Sequence, residues 1–378
     1  MTTTLAPPHP NPGSSPNPNP GSSPNPNPSS SPNPNPNPNP GSGLNPRPNP
    51  GLGPNPRPRP RLDVLSAAEV DAAAGRITGL VRPVSLAALA PGLVPTAPPD
   101  PLDDGPGGPC EVWLALELLQ HTGSFQVRGA LNFLRAHRTL PGAGVTATGD
   151  SATTAALAWA AHREGVPLTL FLPATAPTAR PARLRGLRGL GARVHVGGST
   201  EAEARSACAR FAAATGALAY RPDHPLAAAG AGTLVGELRR QVPGLDTIVL
   251  AEGAEGLSTG IRAAARPHNI RTVTVALTPP DHLTPPDRST AAGRPACVPA
   301  STVLVPEDRA ARACRALWAD QCVAVAPATA AALAALLHSD PPSRPEHRRP
   351  AARPTAGSYR PAAAEKVVVL LDRATARD

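Results

Sequence analysis

Hydrophobic positions between residues 62 and 378 follow two patterns that alternate along the chain. Short runs rich in valine, leucine and isoleucine are followed by longer segments in which alanine, leucine and arginine recur at helical spacing. The short runs predict strands at 112–118, 144–149, 167–173, 193–197, 247–253, 272–277 and 367–371. The longer segments predict helices at 127–139, 153–164, 201–214, 256–266, 307–319 and 328–337. This alternation is typical of parallel βαβ units.

Most of the predicted strands are apolar throughout, as in VVVLL at 367–371. Strands have this composition when helices cover both faces of their sheet. The sequence therefore predicts an open α/β fold, in which ligands bind at the carboxyl ends of the strands. Trp113, Trp159 and Trp318 fall on apolar faces of a predicted strand and two helices, so we expect them to pack in the core.

Proline is concentrated in two segments of the chain, which has 53 prolines in 378 residues. Residues 7–60 consist almost entirely of Pro, Asn, Gly and Ser, and they offer too little apolar surface to offset the entropy of ordering. We expect residues 1–61 to form a disordered arm with polyproline II character. The run at 341–361 predicts a disordered loop before the last strand, because each proline removes a backbone donor.

Arginines of these two segments account for most of the net charge of +9. A basic arm can contact nucleic acid, but no aromatic residue lies between its arginines to stack on bases. We therefore expect a solvated spacer rather than a nucleic-acid site. The five cysteines form no CxxC motif, and no apolar run approaches 18 residues. These features predict a soluble, cytoplasmic protein with reduced thiols and no membrane segment.

The segment ELLQHTGSFQVRGALNFL, which follows the first predicted strand, resembles the pattern E-x-x-Q-x-T-G-S-F-K-x-R-G-A of the threonine/serine dehydratases. The matching residues are Glu117, Gln120, Thr122, Gly123, Ser124, Phe125, Arg128, Gly129 and Ala130. A second segment, AGAGTLVGEL at 229–238, resembles the A-G-x-G-T-x-x-x-E motif of the same family. Serine racemases and the tryptophan synthase β superfamily share this resemblance, which extends from about residue 62 to residue 378.

This resemblance implies a fold type II pyridoxal-phosphate scaffold, often dimeric, with open and mostly parallel sheets. Residues 62–145 and 218–378 would form its large α/β domain. Residues 146–217 would form the smaller inserted domain. The cofactor would be pyridoxal 5'-phosphate, and the family activity is an L-threonine or L-serine ammonia-lyase.

The family's catalytic lysine corresponds to Gln126 in this sequence. In the family this lysine forms a Schiff base with the cofactor and then moves the α-proton of the substrate. A glutamine amide has no basic lone pair and forms no imine. Lys366, at the start of the last predicted strand, is the only lysine in the chain.

The family's four-glycine phosphate loop corresponds to Gly253, Ala254, Glu255, Gly256 and Leu257. Glycines let backbone donors wrap a phosphate at the amino end of a helix. Here a methyl group narrows the loop and a carboxylate occupies it. Two like charges 4 Å apart repel by about 1 kcal/mol in water and about 4 kcal/mol at a dielectric of 20. Alternatively, the carboxylate caps the following helix through its dipole.

The family's substrate-binding loop corresponds to Gly149, Asp150, Ser151, Ala152 and Thr153, with alanine in place of the family's asparagine. Asp or Ser at the start of this segment is a good helix N-cap. The loop could therefore keep its structural role, and its hydroxyl groups could still hold a small anion.

Two further family positions are also changed. The residue that faces the pyridine nitrogen in the family corresponds to Asp372. Ala276 and Ala326 stand where relatives carry acidic residues, so we expect no metal site.

Residues that build turns and helix packing match the family, whereas residues that would contact cofactor or substrate do not. The sequence therefore predicts a pseudoenzyme: a catalytically degenerate homologue whose pyridoxal phosphate is held without a covalent bond or is not bound. It would bind a small amino-acid-like metabolite, and it would form a homodimer or a heterodimer with an active relative. One alternative is an active lyase with non-standard cofactor binding, or one that uses Asp150, Glu255 and Asp372. Another is an interaction protein tethered through its arm.

Overall fold

The computed structural model describes residues 65–97, 108–149, 151–253, 255–278, 302–337 and 358–373. The predicted arm at 1–61 and most of the predicted loop at 341–361 lie outside these ranges.

The described strands are β1 Leu86–Ala88, β2 Glu111–Leu116, β3 Val145–Ala147, β4 Leu168–Leu172, β5 Arg193–Val196, β6 Leu218–Ala219, β7 Thr247–Ala251, β8 Arg271–Thr278, β9 Thr302–Pro306 and β10 Lys366–Leu371. The described α-helices are α1 Ala67–Ile77, α2 Gln126–Ala136, α3 Ser151–Glu164, α4 Pro181–Gly189, α5 Glu201–Thr215, α6 Pro225–Gln241, α7 Glu255–Ala265, α8 Glu307–Gln321 and α9 Pro327–Leu337.

These strands form two sheets, and the predicted open α/β architecture is confirmed. The larger sheet has the order β1-β2-β10-β7-β8-β9, and its strands are parallel except for the β1–β2 pair. The smaller sheet has the order β5-β4-β3-β6 and is entirely parallel. The predicted domain boundaries near residues 145 and 217 remain predictions.

The continuous apolar character of β10 is explained by the cores on both faces of the larger sheet. Val367, Val369 and Leu371 pack in a core with α8 and α9. Val368 and Leu370 pack in a second core with α1, α6 and α7. Because side chains of a strand alternate between faces, a strand that is covered on both sides needs apolar residues at every position. A third core joins the smaller sheet to α2, α3 and α4.

Small residues of the two family-like segments let α2 and α6 approach each other closely. A Cβ atom added to Gly129 of α2 would lie 2.8 Å from the carbonyl oxygen of Ala227. One added to Gly230 of α6 would collide with the carbonyl oxygen of Arg128. The glycines therefore fix the position of the amino end of α2, where Gln126 lies.

The predicted strands and helices agree with the structure to within three residues at each end. The strands β1, β6 and β9 and the helices α4 and α6 were not predicted from periodicity. Strands β1 and β6 have three and two residues, too few to show an alternation. Helix α6 contains GAG and a further glycine, which are poor helix formers.

The prediction that Trp318 packs in the core is wrong, since its exposed fraction is 58%. The buried face of α8 runs through Ala310, Ala313 and Leu317. The next residue along a helix points about 100° away, and this turn directs Trp318 to solvent.

Candidate ligand-binding cleft

A cleft of about 790 Å³ lies between the two sheets, at the ends of the strands where we expected a ligand. Its volume is within the range of small-molecule sites. The residues that line it come from both sheets and from the amino ends of α2, α3 and α7: Phe125, Gln126, Gly129, Thr148, Gly149, Thr153, Glu201, Arg205, Cys208, Ala209, Ala219, Tyr220, Arg221, Pro222, Asp223, Ala227, Gly253, Gly256 and Leu257.

Six of the site residues predicted from the sequence line this cleft: Gln126, Gly149, Thr153, Gly253, Gly256 and Leu257. Two others do not. Ala152 is buried in the first turn of α3, and Asp372 is buried after β10, where its Oδ1 accepts a hydrogen bond from Thr329 Oγ1 at 3.0 Å. Asp150, Ala254 and the side chains of Ser151 and Glu255 lie outside the described residues.

Gln126 begins α2, and its backbone N–H donates to Ser124 Oγ at 3.3 Å. Ser124 in turn forms a β-bridge with Arg373, just beyond β10. The Gln126 side chain is 6% exposed, and its Oε1 has no hydrogen-bond partner among the described residues. The structure therefore places an amide oxygen at the wall of the cleft with its bonding capacity unused.

A buried ion-pair network holds α2 from behind the cleft. The Arg128 guanidinium, fully buried, donates to Glu117 at 2.8 and 2.9 Å and to Glu237 at 2.6 and 3.2 Å. Burial alone would lower the pKa of Arg128, but the Glu117 and Glu237 carboxylates raise it above its ordinary value. This arginine is therefore permanently charged, and it joins α2 to α6 and to the segment after β2.

The same network also fixes the segment that follows α1. Gln120 accepts from the N–H of Arg82 at 3.0 Å and donates to its carbonyl oxygen at 2.8 Å. Glu237 accepts from the N–H of Val84 at 2.8 Å. Several residues that match the family pattern therefore have structural contacts behind the cleft.

Lys366 lies at the opposite end of the larger sheet. Strand β10 runs parallel to β7 with Val367 opposite Thr247, so Lys366 lies where β7 begins, whereas the cleft lies where β7 ends. Its Nζ donates to the carbonyl oxygen of Pro243 at 2.9 Å. At about 3.3 Å per residue, the six residues of β10 separate it from the far end of the strand by about 17 Å.

Charged side chains of the cleft form two ion pairs. Arg205 lies 3.4 Å from Glu201 on α5, and Arg221 Nε donates to Asp223 Oδ1 at 2.8 Å. Each guanidinium that lines the described cleft is therefore paired with a carboxylate, and the formal charges balance. A ligand that carries two negative charges would meet no excess of positive side chains here.

The loop between β7 and α7 keeps part of a phosphate-binding shape. Gly253 has a φ of +107°, a conformation that only glycine adopts readily. Gly256 has another role, because an added Cβ atom would collide with the carbonyl oxygen of Pro222. The second glycine is therefore required where α7 passes the chain before α6, whatever binds in the cleft.

Sequence patterns missed several polar residues of the cleft. Arg221 and Asp223 follow β6, a strand too short to predict, and Arg205 and Cys208 lie on the α5 helix rather than after a strand. Cys208 lies 3.3 Å from Thr146 Oγ1. Burial raises the pKa of the Cys208 thiol, so it remains protonated and is a poor nucleophile.

Comparison with known proteins agrees with this geometry. The model of the pyridoxal-phosphate dependent enzyme family matches residues 89–303. The L-threonine ammonia-lyase of Geobacter sulfurreducens is 35% identical over 162 residues, which are 42% of this chain and 40% of that protein. The serine racemase of Bos taurus is 32% identical over 155 residues, 40% of this chain and 46% of that protein. The chain spans less than half of the length of these relatives.

Two solved structures have the same fold. The serine racemase of Dictyostelium discoideum has a TM-score of 0.63 and 21% identity, and the match covers 83% of this chain and 99% of that one. A bacterial threonine deaminase has a TM-score of 0.57 and 24% identity with the same coverage.

The two parallel sheets with a cleft between them define a fold type II pyridoxal-phosphate scaffold. The chain belongs to the pyridoxal-phosphate dependent enzyme family.

The residues of the cleft do not fit a cofactor that is held as a lysine imine. Formation of the imine needs a primary amine, and the side chain at the start of α2 is the Gln126 amide. Lys366 lies at the other end of the sheet.

Neither a metal site nor a membrane span is present in the described parts of the chain. These parts contain no group of three His, Cys, Asp or Glu side chains that could hold a metal ion. Their helices also include none with the length and apolar character needed to cross a membrane.

Proposed function

We propose that this protein is a catalytically degenerate homologue of the threonine/serine ammonia-lyases, and that its cleft binds a small amino-acid-like metabolite. The observation that carries the proposal is the amide of Gln126 at the wall of the cleft, together with the position of Lys366 at the far end of β10. The family's activity requires one primary amine for two tasks, the imine and the movement of the α-proton. Gln126 can perform neither of these tasks.

The contrast between the two groups of family positions supports this proposal. Glu117, Gln120, Arg128 and Glu237 form a connected buried network behind the cleft. The changed positions lie in front of it, toward the ligand space. Selection for folding without selection for imine chemistry would preserve the first group and release the second.

Retention of the cleft itself favours a binding role. A cavity of about 790 Å³ that is lined by polar groups of both sheets has the size of a small-molecule site. The amino ends of α3 and α7 both meet the cleft, and helix dipoles favour a carboxylate there. The paired charges of the wall favour a ligand without net charge.

An activity assay tests the loss of catalysis. The full chain is incubated with pyridoxal phosphate and either L-threonine or L-serine, and release of a 2-oxo acid is followed. We expect no release above the rate of the cofactor alone. Gln126→Lys provides the matched comparison, since it restores an amine at the start of α2. Release that increases in proportion to the concentration of the native protein would contradict the proposal.

A further inference from the structure

Two buried oxygen atoms at the wall of the cleft have no hydrogen-bond partner among the described residues. They are Gln126 Oε1, at the start of α2, and Thr148 Oγ1, directly after β3. Buried polar groups are nearly always paired, and an unpaired one costs folding stability. Two such atoms on different sheets but in one cavity therefore indicate a ligand that supplies what the protein does not.

Both atoms can accept a hydrogen bond. The group that satisfies them must therefore donate at least two N–H or O–H bonds. A primary ammonium has three donors, and it is small enough to contact two walls of a cleft at once.

The charge of the cleft limits the rest of the ligand. The pairs Arg205–Glu201 and Arg221–Asp223 leave the described wall without net charge, so a zwitterion is accommodated better than a cation. Gly149 and Thr153, at the amino end of α3, lie next to Thr148 in the chain or one turn beyond it. The dipole of this helix favours the carboxylate of the same ligand.

We propose that Gln126 and Thr148 accept hydrogen bonds from the ammonium group of a small zwitterionic amino acid. The amide in place of the family lysine then determines specificity for a free amine. This inference rests on the proposed function, because it assumes that the cleft binds an amino-acid-like molecule.

Calorimetric titration of the full chain without pyridoxal phosphate tests this assignment. The probes are L-serine and L-threonine, each compared with the molecule that lacks the amine, 3-hydroxypropionate and 3-hydroxybutyrate. We expect at least one of the amino acids to bind and its amine-free counterpart to bind at least ten-fold more weakly. Gln126→Leu and Thr148→Val should each weaken amino-acid binding by about ten-fold, the effect of one lost hydrogen bond to a charged group.

Thr302→Val is the matched control. Thr302 Oγ1 is also buried and unpaired among the described residues, but it lies at the start of β9 and does not line the cleft. We expect this variant to leave the affinity unchanged. Gln126→Glu keeps the shape and adds a negative charge, so it should tighten the binding of an ammonium group.

Thermal unfolding without ligand separates a binding role from a structural one. Removing an unpaired buried oxygen should leave the melting temperature of Gln126→Leu and Thr148→Val unchanged or higher, whereas loss of a structural contact would lower it. If Gln126→Leu does not fold, Gln126→Glu and Thr148→Val decide the question.

Three results would overturn the assignment. Unchanged amino-acid affinity in Gln126→Leu and Thr148→Val would refute it but leave the proposed function intact. Weaker binding in Gln126→Glu would mean that the ligand presents its carboxylate to Gln126, not its ammonium. A native protein that binds neither amino acid would refute the proposed function and this inference together.

Discussion

Arg128 is the residue on which the position of Gln126 depends most directly. It lies two residues further along α2 and donates to two carboxylates from a site that excludes water. Its neighbour on the same helix, Arg135, forms an ion pair with Glu164 at 3.2 Å, but this arginine is 39% exposed. The two arginines allow buried and exposed ion pairs to be compared on one element.

Replacement of Arg128 by methionine should destabilise the protein by about 3–5 kcal/mol, because it leaves the buried Glu117 carboxylate without a partner. Arg135→Met should cost no more than about 1 kcal/mol, as expected for an exposed pair. Urea denaturation measures both free energies of unfolding. Equal effects would show that the buried network does not stabilise the fold.

His224 gives a second prediction at this scale. It caps α6, and its Nδ1 accepts from the N–H of Leu226 at 3.1 Å, which requires a neutral ring. Burial lowers the pKa of His224, and the charges of His137 and Arg221 lower it further, while Asp223 raises it. The unfolded state therefore binds the proton more tightly, and stability is lost as the pH falls below the ordinary value of about 6.5.

Urea denaturation at several pH values between neutral and acidic tests the cap. His224→Asn keeps a capping side chain and should reduce the loss of stability on acidification. His162→Asn, at an exposed position on α3, should not change it. An identical pH dependence in the native protein and in His224→Asn would contradict this role.

Elements of full length could be predicted from the sequence, but short or glycine-rich ones could not. Strands such as β10 carry enough consecutive apolar residues to be recognised, whereas the two residues of β6 do not. Helix α6 was recognised only through its resemblance to a family motif. Its glycines lower helix propensity, and the structure shows that Gly230 is needed for the contact with α2.

Gly230→Ala should destabilise the protein by about 1–3 kcal/mol, because the added Cβ atom overlaps the backbone of α2. Gly236→Ala is the control on the same helix. There the nearest atom to an added Cβ is the end of the Arg240 side chain at 3.7 Å, so the change should stabilise the helix by up to about 1 kcal/mol. Urea denaturation distinguishes the two, and equal signs would contradict the close packing of α2 and α6.

The candidate site was predicted only in part, for a reason that belongs to the whole molecule. Gln126, Gly149 and Gly253 follow predicted strands or lie in a family-like segment, so the sequence alone identifies them. The ion pairs of Arg205 and Arg221 lie on another helix and after a missed strand. Their presence in one cleft results from the packing of the two sheets, which no local pattern reports.

Deletion of residues 1–61 should leave the urea midpoint and amino-acid affinity of the remaining chain unchanged. This segment is predicted to be disordered because it has few apolar side chains to bury. A lower midpoint would contradict this prediction. A binding partner that is captured by the full chain and lost on deletion would favour the alternative of an interaction protein.

The central claim is that this family member holds no imine-linked cofactor. Equimolar pyridoxal phosphate is added to the full chain, borohydride reduces any imine, and peptide mapping by mass spectrometry locates the pyridoxyl group. We expect no adduct in Lys366→Arg, which lacks side-chain amines, and an adduct at position 126 when Gln126→Lys is added to it. A borohydride-stable pyridoxyl group mapped to Lys366 or to a cleft residue of the native chain would contradict the claim.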